Sequence, residues 1–198
     1  MPRRGPIDPH GYYHVSTRGN FGAPLYQTVG EHELYLELYA KYAAQLGWDT
    51  LAWALMWNHN HFLVKLHDGG LSEGMRAINH GFARRLNSAY GRTGKGHLVR
   101  HCFYAGPLAS DEQIRTVCRY IDLNAVRAKQ CHEPEAWPWS GYAATLGLAR
   151  RRPFHSIREQ LAFFGSRRPV ARERYARFVA DTRLPGRVTE AQRAERAA

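Results

Sequence analysis

Two imidazoles set two residues apart inside an apolar run are the first chemistry in this sequence. His59 and His61 stand in the stretch from Met56 to Leu66. On a strand they project side by side from one face, while Asn60, Phe62, Val64 and Leu66 project from the other. Neutral imidazole is the commonest protein ligand for transition metals, so such a pair can share one ion with donors from elsewhere in the fold. Two strand-end histidines hydrogen-bonded or solvated near a turn are the competing reading of the spacing. A second cluster lies on a helix. At about 100° per residue, Gln113, Thr116, Tyr120, Asn124 and Arg127 share one stripe, which offers a phenol, an amide oxygen and a guanidinium on one side. A solvated polar face with one half-buried tyrosine is the alternative there.

The elements that must carry these residues follow from periodicity. Tyr12 to Arg18 alternates Tyr13, Val15 and Thr17 against His14, Ser16 and Arg18, a half-buried strand ended by Gly19-Asn20. Glu31 to Leu46 places Tyr35, Tyr39, Tyr42 and Leu46 at helical spacing, with Gly47 as its stop, and those tyrosines read as core. Leu51 to Trp57 is a second strand, Asn58 the turn and His59 to Leu66 a third strand. Ser72 is the expected cap of a helix through about Tyr90, with Leu71, Met75, Ile78, Phe82 and Leu86 buried and Arg76, Arg84 and Arg85 on its surface. A fourth strand over about Cys102 to Leu108 leads to a cap at Ser110 or Asp111. The next helix, to Ala128, buries Ile114, Val117, Cys118, Ile121 and Ala125. Pro134 to Tyr142, rich in aromatics and prolines, reads as a rigid segment packed on the core, followed by a helix to about Leu148. Past Ala149 the chain turns Arg-rich, with helices expected over Ser156 to Phe164 and Pro169 to Val179, and a disordered last dozen residues.

Composition narrows the function classes. The 198 residues suit one domain with an extension, and 28 Lys and Arg against 17 Asp and Glu leave a net charge of +11. That balance favours a polyanion, nucleic acid first, through phosphate contacts. Arg18, Arg84, Arg85, Arg127 and the Arg92 and Lys95 of a basic glycine loop are the candidate DNA contacts. The loop from Gly91 to Gly96 lacks the Gly-Lys-Ser/Thr ending of a nucleotide-binding loop. Three cysteines without a Cys-x-x-Cys pair indicate neither a disulfide framework nor a zinc ribbon. With no apolar run near the roughly 20 residues that span a bilayer, a soluble, cytoplasmic protein without a membrane partner is expected.

Strand, helix, strand, strand, helix, strand, helix is an α+β, ferredoxin-like order: an antiparallel sheet with helices packed on it, here with a helical C-terminal extension. On that order the motifs resemble the single-tyrosine HUH transposases, most closely the REP-associated tyrosine transposases. Tyr13-His14-Val15 with Arg18-Gly19-Asn20, the Met56 to Leu66 strand, Arg119 to Ala128, and Pro134 to Tyr142 carry the resemblance, over about residues 10 to 148. It implies a catalytic domain at 1–148 and a basic helical extension at 149–198. It further implies His59, His61 and Asn124 as ligands of a divalent metal, Mg²⁺ or Mn²⁺, and Tyr120 as the nucleophile. The implied reaction is nicking and rejoining of single-stranded or hairpin DNA at palindromic repeats through a 5′-phosphotyrosine, by a monomer or a homodimer. The family usually has a bulky apolar residue where Asn60 stands, which implies looser packing there. Ala125 replaces a common proline, and Arg100-His101-Cys102-Phe103 replaces a usual Gly-Arg-Phe. A domesticated hairpin-binding protein that no longer cuts is the alternative of a different class; an RNA-binding ferredoxin-like domain would show aromatics, not histidines, on its central strands.

Overall fold

A computed structural model describes residues 7–91, 98–99 and 102–181. Arg92, Lys95, the Arg100-His101 pair and the expected disordered end lie outside the described residues. Four antiparallel strands, β1 (Tyr12–Arg18), β2 (Asp49–Met56), β3 (His59–Lys65) and β4 (Tyr104–Leu108), form a sheet in the order β2-β3-β1-β4. This is the ferredoxin-like order expected from the sequence, within an α+β fold. Helices α1 (Val29–Gln45) and α2 (Leu71–Ala89) are the two crossovers, and their apolar sides share a core with Tyr13, Val15, Phe62 and Val64 on one face of the sheet. On the other face, α3 (Asp111–Asp122) packs Ile114, Val117, Cys118 and Ile121 over Ala52, Ala54, Met56 and Leu63. The sheet is therefore the middle of three layers, and alternation sends each strand's neighbouring residues into different cores.

The element ends differ from expectation where local chemistry intervenes. Thr28 and Glu31 form a capping box, so α1 opens at Val29 and Glu31 lies within its first turn. Ser72 does not cap α2: Gly69 and Gly70, at φ 72 and 75, turn the chain so sharply that Gly70 holds the cap position and Ser72 falls inside the helix. Ser110 caps α3, its side chain accepting from the Gln113 amide. The helix expected to run to Ala128 breaks at Leu123, whose ψ of 0 separates α3 from a last turn, α4 (Asn124–Arg127). The break is slight, since the Leu123 amide still reaches Arg119 O at 3.0 Å.

The outer edge of β2 is closed by chain from beyond the sheet, which removes an unpaired row of backbone groups. Leu55 N–H donates to Trp139 O at 2.8 Å, Gly141 N–H to Trp53 O at 3.0 Å, and Trp137 Nε1–H to Leu55 O at 3.0 Å. Farther along, Ser156 N–H donates to Thr50 O at 2.8 Å. A Cβ on Gly141 would lie 2.8 Å from His155 Cε1 and 2.9 Å from Trp53 Nε1, so only glycine fits that seam. Helices α5 (Tyr142–Leu146), α6 (Ile157–Ala162) and α7 (Arg168–Ala180) follow. Ile157, Leu161, Ala171, Tyr175 and Val179 enter the same core as α3. Polar ties reinforce this: Tyr175 Oη donates to Asp122, Gln160 Nε2 to Tyr175 Oη at 2.9 Å, and Arg119 Nε to Val179 O at 3.2 Å. Among the described residues no helix is long and apolar enough to cross a membrane.

Candidate active site

The register of β1 against β3 pairs Ser16 with His61 and Arg18 with His59, so the outer end of β1 meets the histidine end of β3. Both imidazoles point toward α3, and their ring centroids are 4.9 Å apart. Because α3 and α4 cross this face, Tyr120, Asn124, Arg127 and Ala128 complete a cavity of about 260 Å³ with Arg18, His59 and His61. Tyr120 stacks edge-on to His61 at 5.3 Å between centroids, and the Arg127 guanidinium lies 5.6 Å from the Tyr120 ring. The other stripe residues lie apart: Gln113 Oε1 accepts from the Ala109 amide at 2.7 Å, and neither it nor Thr116 lines the cavity. Arg84 and Arg85 are exposed on α2, behind the opposite face of the sheet.

The hydrogen bonds fix the form of His59. Asn58 Nδ2 donates to Gly22 O at 3.2 Å, so its Oδ1, 2.8 Å from His59 Nδ1, must accept. Nδ1 therefore carries the proton and Nε2 keeps its lone pair. Burial, with the Arg18 charge nearby, lowers the His59 pKa to about 4 against a weaker opposing interaction with Asn124. His61 is held well below its ordinary value by burial, then by His59, His14 and Arg18. Both rings are neutral at physiological pH, the form that binds a metal. Two neutral imidazoles and the amide of Asn124 suit a divalent ion. Among the described residues no cluster of three His, Cys, Asp or Glu side chains could hold a metal.

Two residues of this site escaped the sequence reading. His14, fully buried, stacks on His61 at 5.0 Å, and its Nε2 lies 3.0 Å from His61 Nδ1. Donation from His61 Nδ1–H to that nitrogen leaves the lone pair on His61 Nε2, and outer-shell contacts of this kind orient histidines that bind metals. Its ring also stands 5.8 Å from Tyr120. Strand alternation had placed His14 on the polar face with Ser16 and Arg18, but only the register with β3 brings it behind His61. Asn58, read as a turn residue, is the second. Asn60 corrects a further expectation. Its Nδ2 donates to Tyr26 Oη at 2.7 Å and its Oδ1 accepts from the Thr17 amide at 3.1 Å, so the position is filled and satisfied, not loosely packed.

No curated protein matches the chain. Among solved structures, a REP-associated tyrosine transposase bound to a REP hairpin superposes with a TM-score of 0.61 at 18% identity, over 79% of this chain and 88% of that one. The likeness shows a shared fold. The family model described as "Transposase IS200 like" matches residues 10–124, a span that holds the four strands, both histidines and Tyr120. The chain belongs to the IS200-like transposase family.

Proposed function

We propose that this protein nicks and rejoins single-stranded DNA at palindromic or hairpin repeats through a 5′-phosphotyrosine on Tyr120. The observation that carries the reading is a cavity in which a half-exposed phenol, two neutral imidazoles, an amide and two arginines converge. The Tyr120 oxygen attacks phosphorus opposite the 3′-oxygen. The bond from phosphorus to tyrosine forms as the bond to the 3′-oxygen breaks; the phenol loses its proton, and the departing oxygen gains one to become a 3′-hydroxyl. Rejoining is the reverse. One phosphodiester replaces another, so no nucleotide is consumed.

Arg18 and Arg127, at the cavity wall, would hold the scissile phosphate, while Arg84 and Arg85 would meet flanking DNA. His59, His61 and Asn124 would hold Mg²⁺ or Mn²⁺, which supplies polarisation of a non-bridging phosphate oxygen. His14 and Asn58 would keep the two imidazoles in the required tautomers. The division of labour proposed is chemistry in residues 1–148 and additional basic grip in 149–198, acting in the cytoplasm. The structural neighbour is a transposase bound to a REP hairpin, which supports hairpin DNA as the partner here.

The test is covalent trapping. Incubation with Mn²⁺ and a labelled single strand carrying a palindrome from near the coding region should give an adduct that survives denaturant and maps to Tyr120. A protein that binds the hairpin tightly and never cuts it would replace this reading with that of a non-catalytic hairpin-binding module.

A further inference from the structure

Phe21 is 97% exposed and sits at φ 50, ψ 30, a left-handed conformation that is a true outlier for a bulky side chain. The surrounding backbone enforces it. Gly19 N–H donates to Asn58 O at 2.8 Å, Gly22 N–H to Gly19 O at 3.2 Å, Ala23 N–H to Asn20 O at 2.9 Å, and Asn20 N–H to Leu98 O at 2.9 Å. A Cβ on Gly19 would fall 2.0 Å from Ala23 O, so the turn has no room to relax there. A strained turn that lifts a bare aromatic ring into water gains nothing for folding, and strain of this kind gathers at ligand contacts.

The position of the turn says what the ring meets. It continues directly from Arg18, a wall of the cavity. Asn58 bonds it to the candidate ligand: one end of its amide holds Gly22 O and the other holds His59 Nδ1. Trp57, 55% exposed, stands next to Asn58 in the turn between β2 and β3, with its carbonyl accepting from the Leu25 and Tyr26 amides. Two exposed rings thus flank one backbone junction beside a cavity suited to phosphate. Unpaired bases stack on such rings whatever their sequence.

We propose that Phe21, together with Trp57, is a stacking platform for an unpaired nucleobase next to the scissile phosphate, and that it sets the register of the strand over Tyr120. The proposal rests on the DNA reading above. It adds a subsite for the base where that reading provides only for the phosphate.

The test uses the full chain and a hairpin oligonucleotide with a single-stranded tail, intact or with one abasic position moved stepwise along the tail. Phe21→Gly removes the ring and accepts the positive φ, so it should melt no lower than wild type. It should bind the intact tail about tenfold more weakly, with the same salt dependence, because no phosphate contact is lost. One abasic position should weaken wild type by a similar factor and leave Phe21→Gly no weaker still; Phe21→Tyr should restore affinity. Equal weakening of Phe21→Gly on every tail, or none, overturns the platform while the DNA reading stands. A wild type that binds neither hairpin nor strand overturns both. A homodimer that Phe21→Gly dissociates would assign the ring to a second copy and overturn the platform as well.

Discussion

The two faces of the sheet carry the same residue types to opposite ends. Between the sheet and the pair α1 and α2, the hydroxyls of Tyr26, Tyr35 and Tyr39 are buried and each has a partner: Asn60 at 2.7 Å, Asn79 at 2.9 Å and Thr50 at 2.8 Å. Burial pushes all three phenols above their ordinary pKa and fixes them as neutral spacers. On the face under α3 and α4, Tyr120 is half-exposed and lines a cavity with two imidazoles and two guanidiniums. Histidine shows the same contrast. His155, in the seam beside β2, faces Leu51 O at 3.1 Å and Gln160 Oε1 at 3.3 Å, whereas His59 and His61 turn toward open volume. Residue type alone does not make a site; access to a substrate atom does.

The sharpest way to break this contrast is to remove one hydroxyl from each face. Tyr120→Phe should abolish the covalent adduct and strand cleavage, a loss of at least about 10³-fold given what nucleophile removal costs enzymes generally, with folding and hairpin affinity nearly unchanged. Tyr39→Phe should leave cleavage at the wild-type rate. Cleavage persisting in Tyr120→Phe, measured on a labelled strand, would point to an attacking water and dissolve the distinction.

Next in size is a comparison of histidines. His61→Ala should weaken Mn²⁺ binding, read by calorimetry, by about 100-fold or more while the protein stays folded. His155→Ala should leave Mn²⁺ affinity intact but lower stability by about 1–3 kcal/mol, because it empties a buried, hydrogen-bonded position. His14→Phe, which keeps a ring without an acceptor nitrogen, should lie between them, with metal affinity down about 10-fold.

Much of this was open to a reader of the sequence, and the exceptions share a cause. Alternation in β1 and β3 and the helical stripe of Tyr120, Asn124 and Arg127 are local periodicities, and the structure lines one cavity with those residues. Ile114, Val117, Cys118, Ile121 and Ala125 are all buried, as their spacing implied. His14 and Asn58 were hidden because their partners are set by strand register and by a turn-to-turn contact. The tie from Asp122 to Tyr175 was hidden for the same reason, since it links residues 53 apart in the chain. The Gln113 end of the stripe lies apart from the cavity, because a local backbone bond claims that side chain. Gly70 displaced Ser72 as a cap because two successive left-handed glycines outweigh a favourable side chain.

Acidification probes both groups of histidines at once. In metal-free protein, burial lowers His14, His59 and His155 to about 4 and His61 well below its usual value. Each folded pKa lies below the unfolded one near 6.5, so the unfolded chain takes up more protons as pH falls through that window. Stability should therefore be level above about pH 7 and decline from about 6.5 toward 4. Asp122 works the other way, since burial pushes its pKa up to about 7; one carboxyl opposes four imidazoles, and the net slope stays positive with pH. Thermal melting in chelator at fixed ionic strength reads it, and His61→Gln should make the slope shallower. A midpoint that rises on acidification would mean that these rings are not buried in neutral form.

The smallest effect tests whether the two faces are independent. Tyr35 Oη donates to Asn79 Oδ1 at 2.9 Å, and Asn79 Nδ2 in turn donates to Thr17 Oγ1 at 3.0 Å. Tyr35→Phe removes the donor to Asn79 and leaves a buried amide oxygen short of a partner, a cost of about 1–2 kcal/mol. Thr17 belongs to β1, one residue before Arg18 at the cavity wall, and its amide donates to Asn60 between the two histidines. If a sheet residue transmits nothing through its own backbone, the melting midpoint should drop by a few degrees while the cleavage rate and Mn²⁺ affinity remain at wild-type values. A fall in cleavage rate larger than the unfolded fraction explains would show that the tyrosine face helps hold the histidines in place through Asn60 and Thr17. The division between a structural face and a chemical one would then have to be redrawn along β1.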